Sequence, residues 1–223
     1  MLTTKIRFIF RAMTRTAKKG IKSRHSIDFY HRFVVLSTNQ LDRMLPHVPD
    51  IGDSVFGFNY LYGPCYFAWY RALVELGLEK QDALNTIWQI NEDFVKFFPQ
   101  PLVHWFGKKM YLGTFRQKAA EAERRGKAGK LHPFDWRITY TDIDQHTFAI
   151  NIYECAMLKL ADQFDCRELF PHVCRMDYLF SNYFHNAFRR SGTLADGNTC
   201  CDCWYQVPGD CEWSPEKGFT ERK

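Results

Sequence analysis

Near the end of the chain the segment GTLADGNTCCDCWY (192–205) crowds Cys200, Cys201 and Cys203 around Asp202, with Cys211 a few residues on. Thiols so close together can serve as a nucleophile, a metal set with His172 or His185, a redox pair, or plain buried side chains. In an extended strand neighbouring side chains point to opposite faces, so Cys201 and Cys203 share one side and Asp202 takes the other. CCDC also lacks the paired C-x-x-C knuckles of a zinc site, and we assign no metal and no cofactor. Weight falls on Cys201 and Asp202 as residues lining a site. Just upstream, residues 174–190 (CRMDYLFSNYFHNAFRR) read as one helix. Asp177, Ser181, His185 and Arg189 then follow at i, i+4 steps and form a polar ridge, with Cys174 one turn ahead of Asp177. Such a ridge is either a solvent face or the wall of a site. As a wall it offers a carboxylate and an imidazole for proton transfer and a guanidinium fork for a carboxylate.

The elements that must carry these residues fall into two kinds. Helical periodicity is expected over 25–45, 64–78 with a stop at Gly77, 80–98 ahead of Pro99 and Pro101, and 105–125. The aromatics Tyr60, Tyr62, Tyr66, Trp69 and Tyr70 read as core. Later the period changes to two. In FDWRITYTD and TFAINIYEC apolar residues alternate with polar ones around a hairpin loop, DIDQH, and CDCWYQV is a third candidate strand. Helices first and strands later predict an α+β fold, a helical bundle-like region packed on a small antiparallel sheet of about three strands. Three parts are expected: a basic amphipathic helix over 1–25, one α+β domain over 26–207, and a polar tail over 208–223.

Charge is distributed unevenly along the 223 residues: residues 1–25 hold eight basic side chains and no acid, and the other 198 hold 22 basic against 25 acidic. The net +5 therefore belongs to the arm. Ile6, Ile9, Phe10, Met13 and Ala17 recur there at helical spacing. That pattern suits docking on the domain with solvated lysines, or a weak contact with an anionic membrane surface. No nucleic-acid motif is present, GKAGK lacks the spacing of a phosphate loop, and G-x-S-x-G is absent. No apolar run is long enough to cross a bilayer and no signal-peptide pattern opens the chain, so a cytoplasmic location is expected.

The run RRSGTLADGNTCCDC resembles the C-terminal signature of the L-2-amino-thiazoline-4-carboxylic acid hydrolase family, where an Arg-Thr, a TLA-x-G segment and a closing Cys-Asp-aromatic recur. LFPHVCRMD is similar to that family's Cys-x-x-Asp element, which places Cys174 and Asp177 in it, and YRALVELGLEKQDAL to its helical region. Cys203 stands where the pattern has an aromatic, and Ser191-Gly192 alters the arginine spacing. The resemblance implies hydrolytic opening of a small cyclic amidine carboxylate to an N-carbamoyl amino acid. In that reading Cys201 attacks as thiolate, or a carboxylate or His185 activates water. Asp177 or Asp202 holds the amidinium or acts as base. Arg189 or Arg190 holds the substrate carboxylate, with Thr193 and Cys174 beside it. The alternative is a non-catalytic protein of the same fold that binds a small ligand or a partner.

Overall fold

In the computed structural model, residues 2–211 are described; the part of the expected tail beyond 211 lies outside them. Backbone contacts group the chain into two compact units. One comprises residues 2–52, 56–97 and 156–170, and the other comprises residues 53–55, 98–155 and 171–211.

The first unit is helical. It holds α1 (Leu2–Thr16), α2 (Lys18–Arg24), α3 (Ile27–Met44), α4 (Gly57–Tyr60), α5 (Gly63–Glu75) and α6 (Lys80–Lys96), and its last segment adds a helix at Ala156–Gln163. Helix α5 is apolar over most of its surface, with Arg71 and Glu75 on one face, and Cys65, Phe67, Ala68, Trp69, Ala72 and Leu73 are fully buried in it. A helix of that composition must sit at the centre of a bundle. Gly77 closes it at φ +91°, where its N–H reaches the Val74 carbonyl and the Leu78 N–H reaches that of Leu73. A side chain at that φ would be strained, which is why a glycine ends the helix. Ser26 caps α3 by accepting the Phe29 N–H at 3.0 Å. The basic arm forms α1 and α2 and lays Ile6, Phe10, Met13, Ala17 and Ile21 into the core. Phe10 stacks on Trp69, and the Trp69 indole donates to Thr14 Oγ1 at 3.0 Å. The lysines and arginines of α1 and α2 occupy the outer side.

The second unit contains α7 (Gln100–Lys109), a π-helical segment at Met110–Phe115, α8 (Arg116–Lys127), β1 (Arg137–Asp142) and β2 (Thr147–Glu154). With the chain's α8 followed by Ala156–Gln163 as α9, the unit continues with α10 (Phe170–Phe184), β3 (Ala187–Arg189) and β4 (Cys201–Gln206). The strands form one antiparallel sheet in the order β1-β2-β4-β3. The α+β class is as expected, with one strand more than the sequence suggested. That strand, β3, lies inside the stretch read as helix. The register pairs Phe148 with Tyr205, Ile150 with Cys203 and Ile152 with Cys201. One face therefore carries Ile138, Phe148, Ile150, Ile152, Phe188, Cys201, Cys203 and Tyr205, all buried. Phe148 and Tyr205 stack at 4.9 Å, and Phe115 meets both edge-on. At roughly 1.5–3 kcal/mol for each large apolar side chain removed from water, this aromatic layer is the main adhesive of the unit. Among the described residues no helix is long and apolar enough to cross a membrane.

Candidate functional site

Helix α10 ends at Phe184, before His185 and Arg189, so the ridge does not run along a single helix. His185 takes φ +59°, its N–H reaches the Asn182 carbonyl, and the Asn186 N–H reaches that of Ser181. This is a Schellman ending with histidine in the left-handed position usually given to glycine. The ridge expected from i, i+4 spacing is thus broken at its third member. His185 turns away to stack on His104, with ring centroids 5.2 Å apart, and to approach the exposed Asp210 carboxylate at 3.3 Å. Arg189 follows in β3, exposed, with its guanidinium 5.1 Å from the Trp204 ring on the outer face of the sheet.

The residue just after β3, Arg190, takes that place instead. Its Nη1 donates to Asp177 Oδ2 at 2.6 Å and its Nη2 to the Cys174 carbonyl at 2.7 Å. The guanidinium lies 5.6 Å from the ring centre of Tyr178 and 5.2 Å from that of Phe188. Both tines are occupied and the side chain is only 5% exposed, whereas Asp177 keeps 37% of its side chain open. A fixed cation thus presents a reachable carboxylate, the reverse of an open arginine waiting for an anion. Burial raises the Asp177 pKa, and Arg190 only partly offsets it. The arginine itself stays fully charged, since burial lowers its pKa but the neighbouring Asp177 carboxylate chiefly holds it up.

Thiols surround this pair. Cys174 lies one turn before Asp177 on α10, and Cys201 and Cys203 project from the inner face of β4. Cys155, at the end of β2, is near enough to Cys174 and Cys201 to act on both. Burial pushes Cys174 well up, Cys201 to about 11 and Cys203 to about 12. Arg190 lowers each of them and does not win. At neutral pH these are thiols, not thiolates. The Leu194 N–H points at Cys201 Sγ at 3.2 Å. A π-helical turn brings in one more group, within the stretch 105–125 where the period predicts an ordinary helix. Tyr111 sits in that turn, buried and near enough to Asp177 for that carboxylate to act on its hydroxyl, and its ring lies 5.4 Å from Tyr205. A π turn widens the helix by one residue and re-aims the side chains in it. Gly113 within the segment was the available signal.

Asp202, on the opposite face of β4, has a different task. It accepts from the Ser191 N–H at 3.0 Å, the Ser191 hydroxyl at 2.5 Å and the Gly192 N–H at 3.1 Å. These bonds hold its carboxyl below the ordinary range despite partial burial. Thr193 is buried and exchanges bonds with Asp196, its hydroxyl donating to Asp196 Oδ2 at 2.8 Å and accepting the Asp196 N–H at 3.1 Å. Arg175 of α10 lies 3.5 Å from the same Asp196 carboxylate, with side-chain exposures of 3% and 7%. This buried pair, unseen in the sequence because its members are 21 positions apart, ties the TLAD turn to α10. So the structure brings Cys174, Asp177, Arg190 and Cys201 together, with Thr193 and Asp202 shaping the adjoining loop. His185 and Arg189 are engaged elsewhere. Among the described residues no group of three or more His, Cys, Asp or Glu side chains is arranged to hold a metal ion.

Residues 59–205, which include all of these groups, match the family model described as L-2-amino-thiazoline-4-carboxylic acid hydrolase. The chain belongs to this family. Neither a curated protein nor a solved structure matches it. Within the matched region of this hydrolase-family chain lie α5, the whole sheet except the last residue of β4, and α10. The arm over 1–25 falls outside it.

Proposed function

We propose that this protein is a hydrolase that opens a small cyclic amidine carboxylate, of the 2-amino-thiazoline-4-carboxylate type, to an N-carbamoyl amino acid. Family membership supports the reaction class. The single observation that carries the site is the accessible Asp177 carboxylate, backed by Arg190 at 2.6 Å and lined by thiols. A ring amidine is protonated near neutral pH, and Asp177 is the open anion that can receive it. Water then adds its oxygen to the carbon between nitrogen and sulfur while Asp177 takes the proton. The carbon–sulfur bond breaks, and the sulfur leaves with a proton as a free thiol. One water is consumed, and the carbon becomes the carbonyl of the carbamoyl group. A raised carboxyl pKa makes Asp177 a better base for this step than an ordinary aspartate. Arg190 is a positioning residue, since both its tines are committed to Asp177 and the Cys174 carbonyl. Asp202 and Thr193 hold the loop, and His185 and Arg189 take no part in the reading.

Water is favoured over Cys201 as the attacking group because a thiol held at about 11 is almost wholly protonated at neutral pH. The test is turnover of L-2-amino-thiazoline-4-carboxylate by purified protein, followed by thiol release and by mass spectrometry of the product. Asp177→Asn should lower kcat by about 100-fold or more, with unchanged circular dichroism. Cys201→Ala should retain turnover. A folded wild-type protein without turnover would remove this substrate class and favour a ligand-binding role. Full activity in Asp177→Asn would sink the assignment of the base.

A further inference from the structure

We propose that α7 is an interfacial element that seats the second unit on an anionic lipid surface. Its inner side is narrow: Val103 is buried, and Gly107 is so close to Phe184 that a Cβ there would lie 2.6 Å from the Phe184 Cβ. The outer side is apolar where a solvated helix would be polar. Leu102 is 51% exposed, Trp105 59% and Phe106 44%, at i, i+3 and i+4, and Phe98 just ahead of the helix is 38% exposed. Such a contiguous exposed patch marks a surface that is covered in use.

Charge decides what covers it. Between Asp93 and Glu121 the chain contains no acidic residue and five basic ones. Arg116 is paired with Asp142, Lys118 with Asp53 and Lys96 with Glu92. Lys108 and Lys109, next along α7 from the apolar stripe, are exposed and make no ion pair among the described residues, and Lys109 Nζ lies 5.1 Å from the Trp105 ring centre. Leucine, tryptophan and phenylalanine flanked by uncompensated lysines match the boundary between acyl chains and anionic headgroups. A second copy seated on the same face about a two-fold axis would bring these lysines towards their own kind. The basic arm at the N-terminus is the more conspicuous amphipathic helix in the sequence, but its apolar stripe is already spent on the helical unit.

The experiment is co-sedimentation of the full chain with phosphatidylcholine vesicles and with vesicles containing phosphatidylglycerol, together with tryptophan emission. Binding to the anionic vesicles alone, with a blue shift that Trp105→Phe abolishes, is the expected result. Lys108→Glu and Lys109→Glu should each weaken binding about fivefold or more, matching roughly 1 kcal/mol per basic residue at such a surface. Leu102→Glu should remove it, and since Leu102 is exposed the variant should keep the wild-type circular dichroism. No binding to anionic vesicles, or equal binding by Leu102→Glu, would overturn the proposal. So would concentration-dependent self-association lost in Leu102→Glu without any lipid binding, because the occupant would then be a second copy.

Discussion

Alkylation of Cys201 should report a thiol that resists ionisation well into the alkaline range. The thiol is pushed up to about 11 from an ordinary 9.0, mainly by burial. The Leu194 N–H at 3.2 Å and the nearby Arg190 both favour the thiolate, and burial still outweighs them. Two pH units mean that about one molecule in ten thousand carries the thiolate at pH 7, against about one in a hundred for the unshifted group. Iodoacetamide labelling followed peptide by peptide should therefore be about 100-fold slower at pH 7 than for an ordinary thiol. Access to a buried sulfur slows labelling at every pH alike, so the slope is the better readout. The rate should climb about tenfold per pH unit and show no plateau below about pH 10. A plateau below pH 8 would refute the argument that burial dominates, and would return Cys201 to the position of attacking group.

Two stability predictions follow from contacts that the sequence does not reveal. Arg175→Met removes the cation beside Asp196, a carboxylate at 7% exposure, and should cost about 3–5 kcal/mol in urea denaturation; a loss under about 1 kcal/mol would show that the pair does not hold the TLAD turn. Gly107→Ala places a methyl 2.6 Å from the Phe184 Cβ and 2.9 Å from its carbonyl, and overpacking of that kind should lower stability by about 1–3 kcal/mol. An unchanged denaturation midpoint would mean that α7 and the end of α10 are not packed as described.

Much of the architecture was readable along the chain because it depends on local period. Alternation placed Cys201 and Cys203 on one face of β4 and Asp202 on the other, and the register with β2 places them so. Gly77 marked the end of α5, since left-handed backbone has a local chemical signature. The stop of α10 had no such signature: a histidine occupies the position where glycine is usual, and the i, i+4 rhythm of Asp177, Ser181, His185 and Arg189 runs on in sequence after the helix has ended. The family-bearing motifs were likewise local, in LFPHVCRMD and RRSGTLADGNTCCDC.

Tertiary structure alone decided which charged groups meet. Arg189 and Arg190 are equivalent candidates by composition, but adjacent residues around a strand end face opposite ways, so one lies over Trp204 and the other reaches Asp177. The protonation of Cys201, Cys203 and Cys174 was equally invisible, because it follows from how much protein surrounds each sulfur rather than from its neighbours in sequence. Tyr111 joined the site through a π turn, and Arg175 found Asp196 across a loop. The chain by itself determined the class of fold, the family and the strand faces, all of which rest on short-range pattern. The partners of each charge were settled only when distant segments packed, since a hydrogen bond depends on position in space and not on spacing along the chain.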